Sequence, residues 1–145
     1  MKQKGNRDQT AEEPTAVYGA ANSATGETVE RIRAGLPMVE FTALQDLLGL
    51  SAEALAQHLA ISRSTLVRRR KSGRLDMQES DRLLRYARLY ARAHTVLQDE
   101  AAAKDWLKQP ARALDFVTPL SFAETEVGAR EVEALLGRIE HGVFS

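Results

Sequence analysis

The sequence predicts an all-α protein, and three observations carry the prediction. Apolar residues recur at spacings of three and four through most of the chain, no stretch reads as a convincing strand, and Ser, Thr and Asp caps with Gly stops mark off helical lengths. The rest is organised around residues 51–74, two short helices and the turn between them.

Residues 1–27 are rich in Gln, Thr, Ala, Glu and Gly, include Pro14, and hold little aliphatic content, so they are expected to form a disordered tail. From Thr28 a short helix runs through Val29 and Ile32 towards Leu36, with Gly35 as its stop. Pro37 suits the first turn of the next helix, whose stripe Met38, Phe41, Leu44, Leu47 and Leu48 ends at Gly49. Ser51 caps a third helix that turns Ala52, Leu55, Ala56 and Leu59 to a core. Ile61 plugs the connection, Ser62 caps the following helix and Leu66 points back beneath it, which together make the pattern of a helix-turn-helix. Many such turns place Gly at positive φ. Here the residue is Ala60, whose Cβ makes that conformation costly, so either the turn is remodelled or the strain is tolerated.

Beyond Gly73, Asp76 and Glu79 form a capping-box start to a long helix over about 77–97, with Leu83, Leu84, Ala87, Tyr90, Ala91 and His94 inward. Arg85, Arg88 and Arg92 read as a solvated stripe on its other side. A helix from Asp99 to about Lys108 carries Trp106, expected in the core, and Pro110 ends it. Residues 111–125 are irregular except for a cap and first turn at Thr118, Pro119 and Leu120. The last helix, about 125–141, lines up Val132, Leu135, Leu136 and Ile139, with Gly142 as its stop. The domain division is therefore 1–27 as tail, 28–75 as the helix-turn-helix domain and 76–145 as a C-terminal domain.

In a helix-turn-helix the second helix enters the major groove, its first residues meeting base edges and later cations meeting phosphates. Arg63, Ser64, Thr65 and Arg68 are the candidates for base edges, since the arginine fork matches guanine O6 and N7 and a hydroxyl serves base or phosphate. Arg69, Arg70, Lys71 and Arg74 are the candidates for backbone contact. Arg63, Arg68, Arg69, Arg70, Lys71 and Arg74 put six positive charges into residues 63–74 with no acid among them, whereas residues 99–145 hold nine acids against five bases. A formal net charge of zero thus conceals two oppositely charged parts, which points to two binding surfaces. A unit of this size generally needs a homodimer to span two half-sites.

The 145 residues allow one domain or two small ones. No apolar run is long enough for a membrane span, no apolar signal segment follows the N-terminal lysines, and the absence of cysteine excludes thiolate chemistry and fits a reducing cytoplasm. His58, His94 and His141 lack metal-ligand spacing, Glu131 and Glu133 point to different sides of a helix, and no Gly-rich phosphate loop follows a strand. Neither an enzyme, a metal site nor a cofactor is expected.

The run Pro110 to Leu114, then Thr118-Pro119-Leu120, then Thr125 to Val143, closely resembles the C-terminal toxin-binding domain of the Xre/MbcA/ParS family of bacterial antitoxins, as does Glu79 to Leu84. The resemblance covers roughly residues 36–145. It implies an all-α antitoxin of a type II toxin–antitoxin system that neutralises a RES-domain, NAD-depleting toxin by blocking its active site, and that represses its own operon by binding operator DNA. The family's toxin contacts fall here on Arg130, Glu133, Arg138, Glu140, His141, Val143, Phe144 and Ser145. An acidic helix with an apolar end is compatible with plugging a basic, partly apolar nucleotide pocket. The other reading is a stand-alone regulator whose C-terminal helices dimerise or sense a ligand; a sizeable cavity lined by the 77–97 helix would favour it.

Overall fold

A computed structural model describes residues 25–142, so most of the expected N-terminal tail, together with Val143, Phe144 and Ser145, lies outside the described residues. Among the described residues eight α-helices follow in order: α1 (Thr25–Ala34), α2 (Met38–Leu48), α3 (Ala52–His58), α4 (Arg63–Ser72), α5 (Met77–Leu97), α6 (Glu100–Lys108), α7 (Pro119–Phe122) and α8 (Glu126–Glu140), with a 3₁₀ turn at Arg112–Leu114. No strand occurs among the described residues. Two isolated bridges, Pro37 with Arg74 and Ala111 with Val117, tie loop to loop.

The helix starts obey the cap chemistry in the sequence. Ser51, Ser62, Asp76, Asp99, Thr118 and Thr125 each accept a hydrogen bond from a backbone N–H in the first turn of the helix they precede. Asp76 and Glu79 complete a reciprocal capping box. Two boundaries differ from expectation. Helix α1 begins at Thr25, three residues before Thr28, and Pro37 sits at the N-cap of α2 with ψ 153° rather than inside its first turn. Pro37 is held there because the flanking backbone pairs with the end of the helix-turn-helix: Met38 N–H donates to Gly73 O at 2.9 Å and Leu75 N–H to Leu36 O at 2.9 Å.

Helix α5 is the shared spine, packed against α1 and α2 on one side and α6 and α8 on the other. Cover on two sides widens its buried surface beyond the stripe read from the sequence. Leu83, Leu84, Ala87 and Tyr90 are buried as expected, but Tyr86, Leu89 and Ala93 join them, while Ala91 is only half-buried and His94 is exposed. Ala52, Leu55, Ala56, Leu59, Ile61 and Leu66 close the core of the helix-turn-helix, joined by Phe41, Leu44 and Leu48 of α2. Met38 and Leu47 are half-buried at its edge. In the C-terminal part Leu107 takes the core place expected of Trp106, which is half-buried beside it. On α8, Val132 and Leu136 are buried while Leu135 and Ile139 lie at the margin.

Gly128 shows how tightly α8 docks, because a Cβ there would run into the Phe122 carbonyl oxygen. Ser80 and Glu40 are the polar residues buried most completely. Ser80 accepts from Leu36 N–H at 2.8 Å, and Glu40 accepts from Arg31 at 3.3 Å, which anchors α1 to α2.

Candidate DNA and partner interfaces

The helix-turn-helix keeps its turn by strain. Ala60 stands at φ 58°. Its N–H reaches Gln57 O at 3.1 Å and that of Ile61 reaches Ala56 O at 2.8 Å, the paired bonds of a Schellman ending. The end of α2 makes the same two bonds through Gly49 and Leu50, with Gly49 at φ 66°. The molecule therefore uses one local design twice, once with the residue that adopts it freely and once with alanine.

Helix α4 separates the expected DNA contacts into three sets. Arg63, Ser64, Arg68, Arg70 and Lys71 are exposed, and among the described residues none of the four cations takes part in an ion pair. Thr65 is half-buried and its hydroxyl belongs to the cap cluster: it lies 2.9 Å from Ser62 Oγ and accepts from Arg68 Nη2 at 3.2 Å, an interaction that orients Arg68. Arg69, expected at phosphate, is turned inward. Its Nε donates to Glu79 Oε1 at 2.8 Å, and its Nη2 reaches Glu79 Oε2 at 3.1 Å and Asp76 Oδ2 at 3.2 Å. The hydrogen bond with Glu79 holds the guanidinium pKa above its ordinary value. Arg69 thus fixes α4 to the capping box of α5, and Arg74 likewise donates to the Gly35 carbonyl. Spacing along α4 could not distinguish a cation facing its own fold from one facing solvent, because the acceptors come from the start of the next helix.

On α8, Arg130, Glu133, Glu140 and His141 fall on one stripe at i, i+3, i+10 and i+11, with Arg138 to one side. Arg130 is exposed and rests 3.5 Å from Glu126, Glu133 and Arg138 are half-buried, and His141 caps the helix end in the open. Glu140 is already engaged, accepting from Arg92 at 2.6 Å. The arginine row of α5 is accordingly not a solvated stripe. Arg85 donates to the Glu124 carbonyl at 3.1 Å and lies 3.3 Å from the Glu126 carboxylate, and Arg92 holds Glu140, leaving Arg88 exposed between them.

Several residues with positioning roles had no signal in the sequence. His58, at the end of α3, lies 2.9 Å from the Glu124 carboxylate and packs its ring 5.8 Å from that of Tyr86. Tyr86 donates to Leu120 O at 3.0 Å, and Arg82 donates to Leu59 O at 3.1 Å. Together they fasten the helix-turn-helix, the spine and the α7–α8 unit to one another. Between α1 and the start of α5 lies an open cleft of about 480 Å³ lined by Val29, Ile32, Arg33, Met77, Gln78, Asp81, Arg82 and Arg85. Among the described residues no group of acidic, His or Cys side chains has the geometry to hold a metal ion, and no helix is long and apolar enough to cross a membrane.

Comparison with known proteins matches residues 27–88 to the antitoxin Xre-like helix-turn-helix domain and residues 92–142 to the antitoxin Xre/MbcA/ParS C-terminal toxin-binding domain. Curated relatives are named antitoxin Xre. That of Yersinia enterocolitica is 42% identical over 85 residues, 58% of this chain and 57% of the relative. That of Photorhabdus laumondii is 42% identical over 74 residues, half of each chain, and that of Pseudomonas putida 37% identical over 68 residues, 47% and 43%. The chain spans about half the length of the curated relatives it matches.

Proposed function

Because the chain belongs to the Xre/MbcA/ParS family of antitoxins, with an Xre-like helix-turn-helix and a toxin-binding domain of that non-enzymatic family, we propose that it acts as the antidote of a type II toxin–antitoxin pair. Its target in this reading is a RES-domain toxin that depletes NAD, and the end of α8 with residues 143–145 covers the toxin's active site. The same chain represses its own operon, as a homodimer whose two α4 helices read half-sites about one helical turn apart.

The observation that carries the reading is the placement of two unlike surfaces on one framework. Four exposed cations project from α4, and the Arg130, Glu133, Glu140 and His141 stripe lies on α8. The test is co-expression of the chain with the RES-domain protein, scoring growth and cellular NAD. Rescue of both supports the reading, and NAD loss in the presence of a well-expressed chain refutes it.

A second reading draws on the cleft beside α5. A regulator that senses a small molecule there would bind DNA with an affinity that depends on that molecule, and would give no protection against a toxin. Four of the eight lining residues are charged and the cleft opens to solvent, whereas small-molecule sites are mostly apolar and enclosed. The antitoxin reading is therefore preferred.

A further inference from the structure

Helix α4 carries one large apolar side chain that its fold does not use. Leu66 is its buried residue, whereas Val67 is 48% exposed. Other exposed apolar residues, among them Val29, Met77, Phe116 and Val127, lie on other elements. Helix spacing places Val67 on the outward face with Arg63 one turn before it, Lys71 one turn after it, and Ser64 and Arg68 beside it. A branched residue is a poor helix former, and an exposed apolar group among cations gains nothing from water. Helix propensity and solvation would both be served better by lysine, arginine or alanine at this position. The side chain is therefore suited to something absent from the free chain.

The neighbouring groups indicate what that is. If α4 lies in the major groove, the exposed cations flank Val67 and lead to phosphate or guanine, so its own environment in the complex is the line of base edges at the groove floor. The apolar feature displayed there is the C5-methyl of thymine. We propose that Val67 is a specificity-determining residue that selects thymine in the operator half-site by packing its methyl groups on the thymine methyl. This rests on the DNA-binding reading given above. It adds apolar readout to a helix whose other outward residues offer only charge and hydroxyls, and hence a means of favouring A·T at one step between positions read by arginine.

The experiment uses the full chain and duplexes enriched by it from a pool with a randomised centre. The enriched duplex is resynthesised with deoxyuridine replacing each thymine in turn, which removes the methyl and leaves base pairing intact. For the wild type, one replacement per half-site should weaken binding about fourfold, the worth of one buried methyl-sized group. Val67→Ala should lose about the same on the thymine duplex and be indifferent to that replacement, whereas Val67→Thr, which keeps a branched methyl, should retain the dependence. Val67 is exposed and alanine is the better helix former, so all variants should fold, with Val67→Ala melting no lower than the wild type. Wild-type binding that ignores every deoxyuridine replacement overturns the inference while leaving the DNA-binding reading intact. So does a Val67→Ala variant that still responds to each replacement. Failure to enrich any duplex removes both.

Discussion

Ala60→Gly should make the protein more stable, although alanine is normally the better residue within a helix. The size of the effect follows from the turn. At φ 58° the Cβ of Ala60 is held in the left-handed region, which costs an L-residue about 1–2 kcal/mol. Glycine removes that cost but loses about 0.5–1 kcal/mol through its greater freedom in the unfolded chain. Ala60 is exposed, so no cavity opens, and the bonds of its N–H to Gln57 O and of Ile61 N–H to Ala56 O are kept. The net gain is about 0.5–1 kcal/mol, or a rise in Tm of roughly 2–3 °C for a chain of this size. Gly49→Ala supplies the mirror image. It puts a Cβ at φ 66° and 3.0 Å from Lys104 Cδ, and should lower stability by about 1 kcal/mol. The assay is urea and thermal unfolding of full-length variants followed by circular dichroism. A fall in stability for Ala60→Gly, or the same sign of change in both variants, would refute the argument that the turn stores strain.

The remaining predictions address the two surfaces and the framework between them. Arg63→Ala and Arg68→Ala should abolish a gel shift while sparing neutralisation, and wild-type affinity should fall with salt at a log–log slope of roughly −2 per half-site, for about two phosphate contacts, those open to Arg70 and Lys71. Arg69→Ala should cost about 2–3 kcal/mol of stability, because it leaves the Glu79 carboxylate, only 8% exposed, without its main partner. Adding Glu79→Met should restore most of that loss, and absence of such coupling in a double-mutant cycle would show the pair to be idle. Deleting Gly142–Ser145 should leave folding and DNA binding unchanged but weaken protection against toxin, as read by growth; full protection by the truncated chain counts against the plug. Burial raises the pKa of the Tyr86 hydroxyl above its ordinary 10.0, so its contribution to stability is intact below pH 10 and is lost as pH climbs beyond, where the unfolded chain ionises first. Tyr86→Phe should flatten that alkaline limb, at a cost of about 1–3 kcal/mol for the stranded Leu120 carbonyl.

Local chemistry was legible in the sequence wherever the partners lie within a few residues. The caps at Ser51, Ser62, Asp76 and Thr118, the capping box and the core of the helix-turn-helix all depend on separations of one or two turns. The doubt over Ala60 was well placed too, since a Schellman ending specifies the dihedral whatever residue occupies it. Long-range pairings were not legible. Arg69, Arg85 and Arg92 look like any solvated cation until α4 and α8 are each brought against α5. His94 was misassigned because a helix covered on two sides does not bury the arc that a single apolar stripe defines. At the C-terminal site Arg130, Glu133 and Glu140 came from the family resemblance and not from spacing, and the commitment of Glu140 to Arg92 requires a partner 48 residues away.

These long-range pairings also determine how far the two surfaces can act independently. They occupy different helices, so single substitutions should separate them, yet both are fastened to successive turns of α5. Arg82 holds the end of α3 through Leu59 O, Tyr86 and Arg85 hold the entry to α8 through Leu120 O and Glu124 O, and Arg92 holds its far end. His58 closes the circuit by joining α3 directly to Glu124. A partner seated on α8 could influence α4 only by shifting this bracket, and each polar contact in it has one defined geometry with a packed core beneath. An interaction that competes for Glu140 or Glu124 would release Arg92 or His58, and so has a route to α4 that a partner touching only Arg130 lacks. The effect of a toxin on DNA binding should therefore depend on which carboxylates it takes from the bracket, rather than on how tightly it binds.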